Sequence, residues 1–260
     1  MKATRILVTS ARGGVGTSSA ALHIASALAE RGNKVLLIDL RTVGRSLDLL
    51  TALSDSAVYD FGDLLCGRVA PARAILPVPG ADGLFLLPGL FHAERVPTVP
   101  ELSRTLASAE EAMDAAFTVL DAPFDVLALR AATLVSRILL VSDLSRASLR
   151  AAADASAQLP QSVETRLLIN RFPIYAEKKC PVPSVRRILD DVRLPLAGII
   201  PDTPSLAAAE EEGKGMLLPK KENLSIGYRN IAARLSGAFA PLLSGWRKIK
   251  RRRLLRRMLA

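Results

Sequence analysis

Residues 12 to 18, Arg-Gly-Gly-Val-Gly-Thr-Ser, set three glycines and two hydroxyls directly behind a short apolar run, Ile6-Leu7-Val8. Glycines at such a turn reach positive φ without steric cost and let backbone N–H groups approach an anion closely. A helix starting there adds its positive end, so the chemistry implied is the cradling of phosphate. The general phosphate loop, G-x-x-x-x-G-K-[ST], carries a lysine for the outer phosphates and a hydroxyl for Mg2+. Here Ser18 supplies the hydroxyl, and Thr17 stands where the lysine belongs. The same residues also suit an ordinary strand-to-helix turn, and the surrounding elements decide between the two.

Those elements read clearly. Apolar runs near 5–9, 35–38, 84–87, 117–120, 137–142, 165–170 and 196–200 alternate with helical stretches. This pattern predicts an α/β fold, a doubly wound, mostly parallel sheet flanked by helices. Ala20, Ala21, Ile24, Ala27 and Leu28 recur at helical spacing, predicting a helix from Thr17 to about Arg31 that stops at Gly32. Ligands of such sheets sit at the carboxyl ends of the strands, where the loop, Asp39, Asp121 and Asn170 all fall. Pro77 to Gly80 and Phe172 to Pro183 read as loops, and Val185, Ile188, Leu189 and Val192 begin a new helix.

With 260 residues, half of them hydrophobic, the chain can bury one α/β core without a second domain. Cys66 and Cys180 are too few for a disulfide framework or a zinc site, which points to a reducing cytosol. His23, inside the first helix, reads as a packing or surface residue and not as a ligand. No signal peptide is expected. The most apolar long stretch, 126–144, is broken by Arg130, Arg137 and Asp143, so no transmembrane helix is expected either.

The net charge of +10 is local: residues 247–257 hold eight basic side chains and no acid, leaving 10 − 8 = +2 for the rest. On a helical wheel Leu254, Leu255, Met258 and Leu259 face one way and Arg252, Arg253, Arg256 and Arg257 the other. Such a segment can lie on an anionic bilayer, each basic residue adding about 1 kcal/mol. Nucleic acid would attract the same charges, and a solvated basic tail is the third reading. Position and pattern favour the membrane.

The stretch RGGVGTSS at 12–19 resembles the deviant Walker A loop of the MinD/ParA ATPases, usually KGGVGKTT. The resemblance runs on in order: 35–67, where a strand ends in Asp39 and leads into the first switch; GLFLLPG at 83–89; and FTVLDAP at 117–123, similar to a Walker B strand. LLINRF at 167–172 and GIIPDTPSLAAAEEEGKGMLL at 198–218 extend it, and the DLRTVGRSLDLL and VYDF stretches lie nearer the MinD branch than ParA. It implies a P-loop domain over 1–244 and a membrane-targeting segment over 245–260. It also implies ATP and Mg2+ as cofactors. Gly13, Gly14, Val15, Gly16, Thr17, Ser18 and Ser19 would hold the phosphates, with Asn170, Arg171, Pro201 and Asp202 on the base side. Ser18 and Asp121 would hold Mg2+, partly through water; Arg12, Asp39 and Asp121 would serve catalysis. The alternative for Asp121 is that it merely caps its strand.

Three departures remove chemistry. Arg12 takes the place of the signature lysine that reaches the partner's nucleotide, keeping a cation but changing its shape. Thr17 replaces the P-loop lysine, a loss of roughly one to two decades in affinity. Arg41 replaces the first-switch aspartate that positions water; a guanidinium cannot do that, although it can lean on phosphate. In the second switch Pro123-Phe124-Asp125 replaces Pro-Ala-Gly.

The resemblance implies a regulator of division-site placement, cytoplasmic and peripheral to the inner face of the membrane. ATP would close a homodimer and a MinC-like partner would read it, with hydrolysis slow or absent because of Thr17 and Arg41. Two alternatives stand: a positioning factor for pilus, secretion or cellulose-export machinery, told apart by neighbouring genes, and a ParA-like DNA-partitioning protein, told apart by salt-sensitive binding to arbitrary duplex.

Overall fold

The computed structural model describes residues 3–42, 44, 46–90, 95–173, 185–203, 206 and 223–242. Its strands are β1 (Thr4–Ser10), β2 (Val35–Asp39), β3 (Leu76–Pro77), β4 (Leu84–Leu87), β5 (Phe117–Pro123), β6 (Arg137–Ser142), β7 (Glu164–Phe172) and β8 (Leu196–Pro201). They form one sheet in the order β3-β4-β2-β5-β1-β6-β7-β8, parallel except for the β3–β4 pair. Helix α1 (Thr17–Ala29) follows β1; α2 (Leu47–Leu50), α3 (Phe61–Leu65) and α4 (Pro71–Ala74) lie between β2 and β3. Then come α5 (Val99–Met113), α6 (Val126–Ala132), α7 (Arg146–Ser156), α8 (Val185–Val192) and α9 (Asn223–Leu235).

Alternation along the strands divides the core. Ile6 and Val8 point into one layer with α1 and α9, whereas Leu7 points into the other with α5 and α6. A third cluster fills the space between β6–β8 and helices α7 and α8. Burial on both faces is why these strands read as continuous apolar runs. Helix α1 is buried at all but one of its thirteen residues, because α9 covers the side turned away from the sheet. His23 accordingly lies in the core, its ring stacked on Tyr228 of α9 with centroids 5.0 Å apart.

The helix after the loop ends as expected: Gly32, at φ +84, donates its N–H to the Ala29 carbonyl. Two expectations are corrected. Phe172, read as loop, closes β7 opposite Pro201, and Pro77, also read as loop, belongs to β3, where Leu76 and Pro77 pair antiparallel with Leu86 and Phe85. The sheet tolerates the proline because β3 is an edge strand and leaves one side unpaired. Most of 172–183, most of 198–218 beyond Thr203, and the basic segment 245–260 lie outside the described residues.

Candidate functional site

The strand order makes the site. Central β1 runs between β5 and β6, the chain winds outward on both sides of it, and the loop leaving β1 therefore opens at a topological switch point. Gly13 and Gly14 are exposed, Gly14 has φ +78, and a Cβ on either would meet nothing within 4 Å. Gly16 is the N-cap of α1, in the left-handed conformation at φ 86, and no side chain caps the helix. Its orphan N–H groups and positive end thus face an open, glycine-lined turn. The loop is also fastened: the Asn170 side-chain amide donates to the Val15 carbonyl at 2.9 Å, so close that a Cβ on Gly16 would stand 2.4 Å from Asn170 Nδ2. Exposed Arg171, at φ 51, follows it on β7.

Position 17 turns away from the loop. The buried Thr17 hydroxyl lies 2.5 Å from Ser10 Oγ, and Ser10 Oγ donates to the Arg12 carbonyl at 3.0 Å. Hydroxyls here knit β1 to α1 where the general loop would extend a cation. Ser19 is buried behind them.

Register brings the acids together. Asp39 and Asp121 are Cα partners at the carboxyl ends of β2 and β5, and both are fully buried. Two bare carboxylates so placed repel, and Arg41 answers the charge: its Nε donates to Asp121 Oδ2 at 3.2 Å and to Ser18 Oγ at 3.0 Å. Asp39 in turn holds the segment that carries Arg41, accepting the N–H of Arg41 at 2.8 Å and of Ser46 at 3.3 Å. A Cβ on Gly89 would come within 2.8 Å of the Asp39 carboxyl carbon, so the glycine is what makes room for that carboxylate.

Burial, reinforced by the charge of Asp121, raises the Asp39 pKa to about 7 against the pull of the two N–H bonds and of Arg41. Burial likewise pushes Asp121 above the usual carboxylate range, opposed by Arg41 and by the Ser18 hydroxyl. Asp121 Oδ1 has no hydrogen-bond partner among the described residues. Arg12 is exposed at the loop's rim. Burial disfavours ionised Asp143 nearby, yet hydrogen bonds from Ser145 and Ser148, together with the Arg12 charge, bring it below its ordinary value.

The family model for the CobQ/CobB/MinD/ParA nucleotide binding domain matches residues 6–216. The chain belongs to this family. Among its relatives, the septum site-determining protein MinD of Bacillus subtilis is 26% identical over 243 residues, covering 91% of this chain and 90% of that protein. The MinC:MinD cell division protein complex of Aquifex aeolicus contains a chain of the same fold, 28% identical, with a TM-score of 0.81 over 92% of this chain and 98% of that one. The MinD of Pyrococcus horikoshii, complexed with Mg-ADP, shares the fold at a TM-score of 0.75 and 21% identity, over 90% of this chain and 96% of that one.

Against this MinD/ParA frame the groups at the loop divide. The open glycine turn and uncapped helix end suit phosphate. The metal position suits a divalent ion less well, because the oxygens that the resemblance assigns to it, on Ser18 and Asp121, already share the Arg41 nitrogen. Pro201 closes β8, with Asp202 exposed just beyond it, its N–H bonded to the Phe172 carbonyl at 2.8 Å. Sequence reasoning named every residue that meets at the loop except Ser10, Ser46 and Gly89. Ser10 belongs to no motif, and Ser46 and Gly89 lay inside matched stretches without a role.

A cavity of about 500 Å³ opens at the other end of the sheet, among Arg137, Glu164, Arg166 and Arg234. Its polar groups already serve one another: Glu164 takes Arg137 and Arg166, while Arg137 and Arg234 also donate to the carbonyls of Leu235 and Ala197. Among the described residues, no helix is long and apolar enough to cross a membrane.

Proposed function

We propose that this protein is a MinD-like regulator of division-site placement that binds ATP at the 12–19 loop and hydrolyses it weakly or not at all. The observation that carries the reading is the uncapped α1 end behind exposed glycines, held open by Asn170, in a chain that matches MinD proteins over nine-tenths of its length. Loss of turnover follows from position 41: the residue that would orient water is a cation committed to Asp121. Asp39 is no substitute, since its carboxylate is engaged by the N–H groups of Arg41 and Ser46 and acts as a brace for that segment.

Bound nucleotide would close a homodimer across the loop, with exposed Arg12 reaching the partner's phosphates, and a MinC-like protein would read the closed form. Segment 246–260 would attach the dimer to the inner face of the membrane, two weak anchors acting as one strong one by effective concentration. Phe239 and Leu242, which precede that segment in sequence, are exposed apolar residues. The test is titration of a fluorescent ATP analogue with turnover followed in the same sample. Saturable binding with negligible phosphate release is expected. Turnover at the rate of an ordinary family member would overturn the assignment of Thr17 and Arg41, and absence of binding would overturn the reading as a whole.

A further inference from the structure

We infer that Arg41 is a built-in cation occupying the place of the divalent metal, so that this chain binds nucleoside triphosphate without Mg2+. The inference rests on the reading that the 12–19 loop holds a triphosphate.

Four observations carry it. The Ser18 and Asp121 oxygens, one at the start of α1 and one at the end of β5, converge on a single atom, Arg41 Nε, at 3.0 and 3.2 Å. A magnesium ion would need the Ser18 oxygen at about 2.0–2.1 Å and room for a water linking it to Asp121, and the guanidinium lies in that room. Second, Arg41 is held as a component of the site: its backbone N–H is bonded to Asp39, whose carboxylate is packed on Gly89 and also bonded by Ser46. Third, neither terminal nitrogen of Arg41 donates to a described residue, and the side chain is 21% exposed. Those nitrogens carry N–H donors in the fork geometry that matches phosphate, set beside the helix end where phosphate would bind. Fourth, the side chain at position 17 is turned into Ser10, so the loop takes its cations from other elements: Arg171 beside Gly16, and Arg41 at the Ser18 and Asp121 oxygens. A guanidinium stays charged at any working pH and cannot be chelated away.

The experiment is calorimetric titration of ATP into the full chain, in EDTA and again in excess MgCl2, for the natural protein and for Arg41→Ala. The natural protein should show dissociation constants within about threefold of each other in the two buffers. Arg41→Ala should bind about tenfold or more weakly in EDTA and recover in MgCl2, because Ser18 and Asp121 become free to take the ion. If the natural protein needs Mg2+ for binding, this inference falls and the nucleotide reading stands. If it binds in neither buffer, both fall. Should Arg41→Ala fail to fold, the comparison of the natural protein in the two buffers decides alone.

Discussion

Removing Arg41 should weaken the fold in a way that depends on pH. Asp39 and Asp121 are neighbours on adjacent strands with no exposed surface, and Arg41 is the cation hydrogen-bonded beside them. At 3.2 Å and an effective dielectric near 20, the Arg41–Asp121 attraction is about 5 kcal/mol before desolvation is counted. Stranding a buried charge typically costs about 3–5 kcal/mol, and the carboxyl can escape part of that by taking a proton. We therefore expect Arg41→Ala to lose about 2–4 kcal/mol at pH 8. The sign with pH follows from linkage. Without the guanidinium both carboxyls hold their protons more tightly when folded, so the penalty is absent below their unfolded pKa near 3.8 and grows as pH rises through the raised folded values. Urea denaturation at pH 5 and pH 8 measures it. A loss below about 0.5 kcal/mol at pH 8, or one equal at both pH values, would refute the pairing.

Three further outcomes follow from the same geometry. Asp39→Asn should flatten the pH dependence: the Asp39 pKa rises from 3.8 to about 7 on folding, which disfavours the folded state above pH 7 by roughly 4 kcal/mol, so the amide should stabilise at pH 8 and not at pH 4. Part of that gain is offset by the weaker acceptor offered to the N–H groups of Arg41 and Ser46, leaving about 1–2 kcal/mol in thermal or chemical denaturation. Gly16→Ala should cost about 2–4 kcal/mol, since φ 86 is left-handed and the new Cβ would stand 2.4 Å from Asn170 Nδ2; combining it with Asn170→Ala should lose less than the two single costs added together. Deleting 246–260 should abolish co-sedimentation with vesicles containing anionic lipid and leave the melting temperature unchanged; undiminished sedimentation would remove the membrane assignment.

Much of the fold was legible because its signals are local. The parallel strands coincide with the apolar runs, and the glycine turn, the first helix and its Gly32 stop are all features of neighbouring residues. What stayed hidden is long-range. Arg41 meets Asp121 across 80 residues and Asn170 meets Val15 across 155, through a register that no periodicity encodes. Read along the chain, Arg41 is a missing aspartate; in the folded sheet it is the counter-ion of two buried acids. Asn170, expected on the base side of a nucleotide, has a bond to the Val15 carbonyl that the sequence did not announce. Thr17 read as a simple loss, whereas its bond to Ser10 gives it a place in the packing of α1. Buried Arg5, next to the Ile6-Leu7-Val8 run, carries no local signal of its partner, Glu110, which it meets at 2.6 and 2.8 Å.

A crystal structure of the full chain grown with millimolar ATP tests the central claim most directly. The account predicts density for a triphosphate over the backbone N–H groups of residues 13–18, with an Arg41 terminal nitrogen within hydrogen-bond distance of a phosphate oxygen. An empty glycine turn at that concentration, with Arg41 still bonded only to Ser18 and Asp121, would contradict it.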